Sequence, residues 1–145
     1  MHKKQLPAPQ DYIDFVVENP GYYALKFQNF SILPDSFHAS WHWPAFFATF
    51  WWFLYRKMYL WAGLSFVTYC IPYVNIISWI VWPIFANHLY FQHVRKKIME
   101  LKAYQGEDYR QHLGFIGGVN AWVPYVAIGI FVLPILIVAV LFITD

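Results

Sequence analysis

The residues with the most obvious potential for chemistry are six histidines. His38 and His42 have the i,i+4 spacing that places two ligands on one helix face, and neutral imidazole is a common metal ligand. Pro44 follows closely, which disfavours one continuous helix, and no group of cysteines or carboxylates lies near them. His88 and His93 are five residues apart and point to different sides of a helix. We therefore predict histidines at an interface, with no metal and no cofactor.

The chain has no clear nucleophile arrangement. Ser65, Thr68 and Ser78 lie in apolar stretches, where a hydroxyl usually bonds to the helix backbone or to a neighbour. These stretches hold no Asp, Glu, Lys or Arg, which disfavours acid–base catalysis and coupled transport. We therefore predict that the protein is not an enzyme and has no catalytic residue. A membrane enzyme that acts on lipid, with His42 or His88 as its base, is the last-ranked alternative.

Two basic clusters are the remaining chemical signal, Arg56-Lys57 and Arg95-Lys96-Lys97. They lie at the ends of two helices that we expect to be antiparallel, so both would reach one surface. A cation near a membrane attracts anionic headgroups by about 1 kcal/mol. The same charges would also anchor the topology, and the two roles are compatible. We predict a lipid- or partner-binding interface made of these cations and of nearby aromatic residues: Trp43, Phe47, Trp52, Tyr55 and Tyr59.

The composition indicates what surrounds these residues. Of 145 residues, 59% are hydrophobic and only 12% are charged, whereas a soluble domain carries roughly 25% charged residues. The net charge of +2 is too small to suggest nucleic-acid binding. Cys70 is the single cysteine, which excludes an intrachain disulfide. We therefore predict an all-α integral membrane protein.

Two uncharged runs, residues 58–91 and 111–144, supply the membrane segments. About 20 apolar residues suffice to cross a bilayer as a helix. Residues 121–143 fit one span, in which Pro134 is expected to cause a kink. The first run is too long for one span, so we predict a helical hairpin with arms from about 54 to 71 and from about 75 to 94. The fold class is therefore three transmembrane helices plus one further apolar helix.

That further helix is predicted over residues 41–55, which are apolar on every side and too short to span. It is expected to be either interfacial or re-entrant. Residues 1–40 look partly ordered, with one short helix from about 21 to 30. A polar helix is expected to continue to about Tyr104, followed by a second short helix that ends near Gly117-Gly118. We expect Asn75, Asn87 and His88 to form polar contacts between helices.

The distribution of the basic residues predicts the orientation. All ten Lys and Arg lie in residues 1–57 and 94–112, which the hairpin places on one side. By the positive-inside rule that side is the cytoplasm, so the C-terminus is periplasmic. We expect no secretory signal peptide, because the basic start is not followed by an apolar stretch. The chain divides into a cytoplasmic segment 1–40, a central part 41–118 and a C-terminal helix 119–145.

Residues 37–63 read FHASWHWPAFFATFWWFLYRKMYLWAG. This stretch resembles the signature of an uncharacterised bacterial membrane family, domain of unknown function 2628, although His42 stands where that family usually has Asn. IFANHLYFQHVRKKI at 84–98, the Gly117-Gly118 pair and Tyr22-Tyr23 with Phe27 are similar to further elements of the family. The resemblance implies a bacterial inner-membrane protein and brings no established chemistry.

These observations favour a non-enzymatic adaptor or accessory subunit. It would present its basic, aromatic cytoplasmic interface to anionic lipid, to an unidentified membrane protein or to a second copy of the chain. The runner-up is a subunit of a small transporter or channel. It would be oligomeric, because three spans from one chain leave little room for a pore.

Overall fold

The structure, a computed structural model, describes residues 6–144, with no side-chain description for Glu107 and Thr144. Residues 1–5 and Asp145, which belong to the predicted cytoplasmic and periplasmic ends, lie outside it. The described part is helical and contains no strand. Its helices are α1 (Pro9–Val16), α2 (Pro20–Phe30), α3 (Trp43–Tyr55), α4 (Tyr59–Cys70), α5 (Val74–Gln105), α6 (Tyr109–Ile116) and α7 (Trp122–Thr144), with a 3-10 turn at Gly106–Asp108.

Helices α1, α2, α6 and residues 92–105 of α5 pack into one unit, called the head here. Its core is aromatic and aliphatic; among its fully or nearly fully buried members are Tyr12, Phe15, Tyr23, Phe27, Val94, Ile98 and Leu113. The expectation that residues 1–40 are only partly ordered is wrong for 6–40, because two helices there pack into this core. The predicted helix at 21–30 is confirmed as α2, and α1 was not anticipated.

A buried carboxylate attaches α1 to α6. Asp11 is fully buried; it accepts hydrogen bonds from the Tyr109 hydroxyl at 3.0 Å and from the Ala8 backbone N–H at 2.9 Å. The Arg110 guanidinium lies 3.5 Å away on the outside. A buried charge is tolerated when it is paired and hydrogen-bonded, so this network holds two helices that are about 98 residues apart in sequence.

Helices α3, α4 and residues 74–91 of α5 form a second unit, called the apolar body here. Helices α3 and α4 are antiparallel, since the Thr49 hydroxyl lies 2.9 Å from the Tyr69 hydroxyl and the rings of Phe50 and Phe66 are 5.4 Å apart. The predicted first arm from 54 to 71 is wrong at its start, because the helix breaks after Tyr55. The 12 residues of α4 cover about 18 Å, less than the roughly 30 Å of a bilayer core.

Within residues 6–144, two helices are long and apolar enough to cross a membrane, α5 and α7. The helix predicted from about 75 to 94 with a polar extension to about Tyr104 is confirmed as α5, and α6 is confirmed as the second short helix. The C-terminal helix predicted at 121–143 is confirmed as α7, and Pro134 lies inside it without ending it. The 18-residue apolar window of α7 buries no residue against the rest of the protein.

A buried arginine in an aromatic cleft

The candidate site begins where an extended segment reaches α3. Residues 38–42 lie along α5, with the Ser40 backbone N–H donating to the Ile84 carbonyl at 3.3 Å. Asn87, fully buried on α5, donates from Nδ2 to the Ser40 hydroxyl at 3.1 Å and to the Tyr22 hydroxyl at 3.3 Å. This network places His42 at the N-terminus of α3. Asn87 therefore makes the predicted polar contact, with the head and the extended segment as its partners.

Helix α3 enters the apolar body and returns from it. Ala48 has non-helical backbone angles (φ −142°, ψ 48°) and marks a kink. Before the kink, the Phe46 ring stacks on Trp79 of α5 at 5.5 Å between ring centres. After it, Trp52 contacts Tyr90, which lies eleven residues further along α5, at 5.8 Å. The two ends of α3 therefore lie near the head, and its middle lies deeper in the apolar body.

Arg56 follows α3 directly and turns inward. Its side chain lies among aromatic rings, and the residue is only 4% exposed. The guanidinium donates to the Glu18 carbonyl at 3.1 Å and to the Val16 carbonyl at 3.4 Å. Its carbon lies 4.7 Å from the ring centre of Tyr23 and 5.1 Å from that of Tyr90, distances at which a cation is attracted to an aromatic face.

The charge of Arg56 has no acidic partner among the side chains that the structure describes. No ion pair joins it to a carboxylate there, and its Nε–H makes no hydrogen bond although it is buried. Carbonyl dipoles and ring faces offset part of the cost of burying a cation, but a buried charge without an opposite charge is expensive. Such a group is a candidate for binding an anion from outside the chain.

His42 lies beside this arginine. Its Nδ1 is 3.4 Å from the Tyr22 hydroxyl, its Nε2 is 3.5 Å from the Tyr23 hydroxyl, and its ring packs on Trp52 with centres 4.6 Å apart. Burial, with smaller effects of the positive charges of Arg56 and Lys26, lowers the pKa of His42 to about 4. The imidazole is therefore neutral at pH 7. No group of three or more potential metal ligands is found within residues 6–144.

Arg56 and His42 line one cleft of about 420 Å³. The rest of the wall is mostly aromatic and consists of Tyr22, Tyr23, Trp41, Trp43, Trp52 and Tyr55, with Asn19 and Pro44. No carboxylate lines the cleft among the described side chains. An aromatic wall with one unpaired guanidinium suits a ligand that joins an anionic group to an apolar part.

The predicted basic clusters do not form one exposed patch, since Arg56 is buried. Lys57 donates to the Gly117 carbonyl at 2.6 Å, which fastens the start of α4 to the head. Arg95 is bonded to the Asp35 carboxylate at 2.8 Å and to the Pro34 carbonyl at 3.1 Å. Lys96 and Lys97 lie 3.8 Å and 3.5 Å from the Glu100 carboxylate and remain on the surface. The structure thus separates Arg56, inside the cleft, from the exposed cations.

The other predicted site residues fall into different surroundings. Trp52 is buried and Tyr55 is half-buried at the cleft, whereas Trp43, Phe47 and Tyr59 are exposed. The Asn75 side chain accepts from the backbone N–H of Ile76 at the start of α5, and this local bond is its side-chain contact within the described part of the chain. His88 Nδ1 accepts from the His38 backbone N–H at 3.4 Å. These two therefore do not join the cleft.

Sequence reasoning placed Tyr55 at the site but missed Tyr23 and Tyr90, whose rings also face Arg56, although Tyr22 and Tyr23 were noted as a motif. Comparison of the chain with protein-family models, with curated proteins and with solved structures gives no significant match. The assignment of a function therefore rests on the geometry of this cleft.

Proposed function

We propose that the protein is an integral membrane adaptor or accessory subunit, without catalytic chemistry of its own, that holds an anionic membrane component at its cytoplasmic face. The observation that carries the proposal is Arg56, a buried cation that faces an aromatic cleft and has no acidic partner among the described side chains. A bacterial inner membrane, and kinship with the domain of unknown function 2628 family, are part of the same proposal.

The proposed topology keeps three membrane segments, of which α4 is shorter than the bilayer core is thick. Helix α7 crosses alone, and α4 with the apolar part of α5 forms a hairpin that enters from the cytoplasm. Helix α3 is re-entrant, because its two ends lie near the head while Phe46, just before the kink, reaches Trp79. Every Lys and Arg among the described residues belongs to the head or to the 56–57 turn. This one-sided charge supports a cytoplasmic head.

An anionic lipid is favoured over a protein segment as the component held. The cleft lies where the head meets the apolar body, and exposed Trp43 stands beside it. Tryptophan is enriched at the headgroup level of membranes. A lipid headgroup would place its charge on Arg56 while its chains stay among neighbouring lipids.

Mass spectrometry of the purified protein tests this proposal. The wild type, Arg56→Gln and Lys96→Gln are extracted from the same membranes in mild detergent, and bound lipids are quantified. We expect about one anionic lipid per chain on the wild type and on Lys96→Gln, whose lysine is exposed, and loss of that lipid from Arg56→Gln. Recovery of the wild type with no bound lipid or partner would contradict the proposal.

The alternative function, a subunit of a small oligomeric transporter or channel, is favoured by the kink at Ala48 in α3. Interrupted helices at membrane depth often line a substrate path. Flux of ions or small solutes into liposomes that contain the purified protein would support this alternative, and absence of flux together with lipid retention would support the adaptor.

A further inference from the structure

The Arg56 guanidinium lines the cleft and has donors that make no hydrogen bond within the described residues. Its three hydrogen bonds, to the Val16 and Glu18 carbonyls and to the Tyr90 hydroxyl, are 3.1–3.4 Å long. A guanidinium carries five N–H donors, and the Nε–H is among those left without a partner. The edge formed by Nε and a terminal nitrogen is the edge that binds two oxygens of one phosphate or carboxylate.

His42 supplies a second group at the same place. It is buried beside Arg56 and touches the Tyr22 and Tyr23 hydroxyls, while Trp52 covers its ring. The charged groups that act on it are Arg56 and Lys26, both positive. At pH 7 the imidazole is neutral and can still donate one N–H. An anion placed next to it would favour the protonated form, which has two donors.

From this geometry we infer that the cleft is a phosphate-ester site, in which Arg56 binds two phosphate oxygens and His42 binds a third, which in a phosphodiester is an ester oxygen. This inference rests on the proposed function and names its ligand. A phosphate group is favoured over a carboxylate because two separate donor groups converge on the cleft, and a phosphate offers more acceptor oxygens than a carboxylate. Aromatic residues such as Trp41 and Trp43 would then pack against the esterified part of the ligand.

The same phosphate chemistry can come from a lipid headgroup or from a soluble ester, and calorimetry separates these sources. Delipidated protein in a neutral detergent is titrated with short-chain phosphatidylglycerol, with glycerol 3-phosphate and with oleate. We expect phosphatidylglycerol to bind, and Arg56→Gln to weaken it by about tenfold or more, as loss of a charge-assisted pair implies. Lys96→Gln should bind like the wild type. Binding of glycerol 3-phosphate as well would support a soluble source for the phosphate.

Arg56→Lys is a second variant, used in case Arg56→Gln fails to fold. It keeps the positive charge but removes the planar guanidinium that can bind two oxygens at once. We expect it to bind phosphatidylglycerol more weakly than the wild type. At pH 5, the binding enthalpy is compared in two buffers of different ionisation enthalpy. The difference should report proton uptake by His42 in the wild type and no uptake in His42→Asn. Equal binding of phosphatidylglycerol by wild type and both Arg56 variants would overturn the inference. Arg56-dependent binding of oleate alone would also overturn it, yet would leave the proposed adaptor function standing.

Discussion

The guanidinium carbon of Arg56 lies 4.7 Å from the ring centre of Tyr23, and no described carboxylate pairs with it. Tyr23 belongs to α2 in the head, and Arg56 follows α3 of the apolar body. The cation therefore joins the two units through ring faces and carbonyl groups. The same arrangement leaves the cation free to bind an anion from outside.

The Tyr23 ring should contribute measurably to stability. Tyr23→Leu removes a buried ring and its contact with Arg56, so we expect the free energy of unfolding to fall by about 1–3 kcal/mol. Tyr104→Leu is the matched control, because Tyr104 is 95% exposed, and it should change stability by less than about 0.5 kcal/mol. Denaturant unfolding in a neutral detergent measures both. Equal stability of the two variants would contradict a structural role for the Tyr23–Arg56 contact.

Asp11 should be needed for the head to hold together. Asp11→Ala leaves the buried Tyr109 hydroxyl and the Ala8 N–H without their acceptor, so we expect a loss of about 2–4 kcal/mol. Asp14→Ala serves as the control, since the side-chain partner of Asp14 among the described residues is Gln10, at an exposed position. Hydrogen exchange of the α1 amides would show where stability is lost. If the α1 amides were as well protected from hydrogen exchange in Asp11→Ala as in the wild type, Asp11 would not be what attaches α1 to α6.

Acid should weaken the protein through His42. Its pKa is about 4 in the folded chain, below the usual 6.5, so between these values the unfolded chain binds more protons. Stability therefore falls as pH drops from about 6.5 towards 4, by roughly 2–3 kcal/mol at pH 4.5. His42→Asn should reduce the acid loss by this amount, and His112→Asn, at an exposed position, should leave the loss as in the wild type. Thermal unfolding at pH 7 and pH 4.5 makes the comparison, and identical acid losses in the two variants would contradict the assignment.

The single native cysteine tests the topology. Cys70 ends α4 next to the hairpin tip and is exposed, whereas Gln105 ends the polar part of α5. In inverted vesicles, a membrane-impermeant maleimide should label Gln105→Cys in a Cys70→Ser background and leave the native Cys70 unlabelled. In right-side-out vesicles Gln105→Cys should be protected. Labelling of Gln105→Cys from the periplasmic side would reverse the proposed orientation.

Several helices could be predicted because local signals sufficed. The long uncharged run predicted α7, and Gly106, at φ 60°, ends α5 as a glycine does where a helix stops. Helix α1 was missed because it has only eight residues, and its buried residues find their partners in α2, α5 and α6. A short helix of this kind depends on tertiary packing, which no local pattern reports.

The site was harder to predict than the fold. An arginine after an apolar helix is normally read as a cation that anchors the helix at the membrane surface. Arg56 is buried instead because it donates to the carbonyls of Val16 and Glu18 in the head. These partners lie about forty residues upstream in the sequence. The break after Tyr55 has the same origin, since Arg56 and Lys57 both turn to carbonyls of other segments. Contacts at such separations leave no periodic signal in the sequence.

The most direct test of the account is the NMR signal of the Arg56 Nε–H group. Protein labelled with ¹⁵N-arginine in detergent is titrated with short-chain phosphatidylglycerol, and Arg56→Lys identifies the signal by its disappearance. We predict that the Arg56 signal shifts and saturates with bound lipid, while the Arg110 signal, from a guanidinium at the outer surface of the head, stays in place. An Arg56 signal that does not move at saturating lipid would contradict the claim that this buried cation binds the anion.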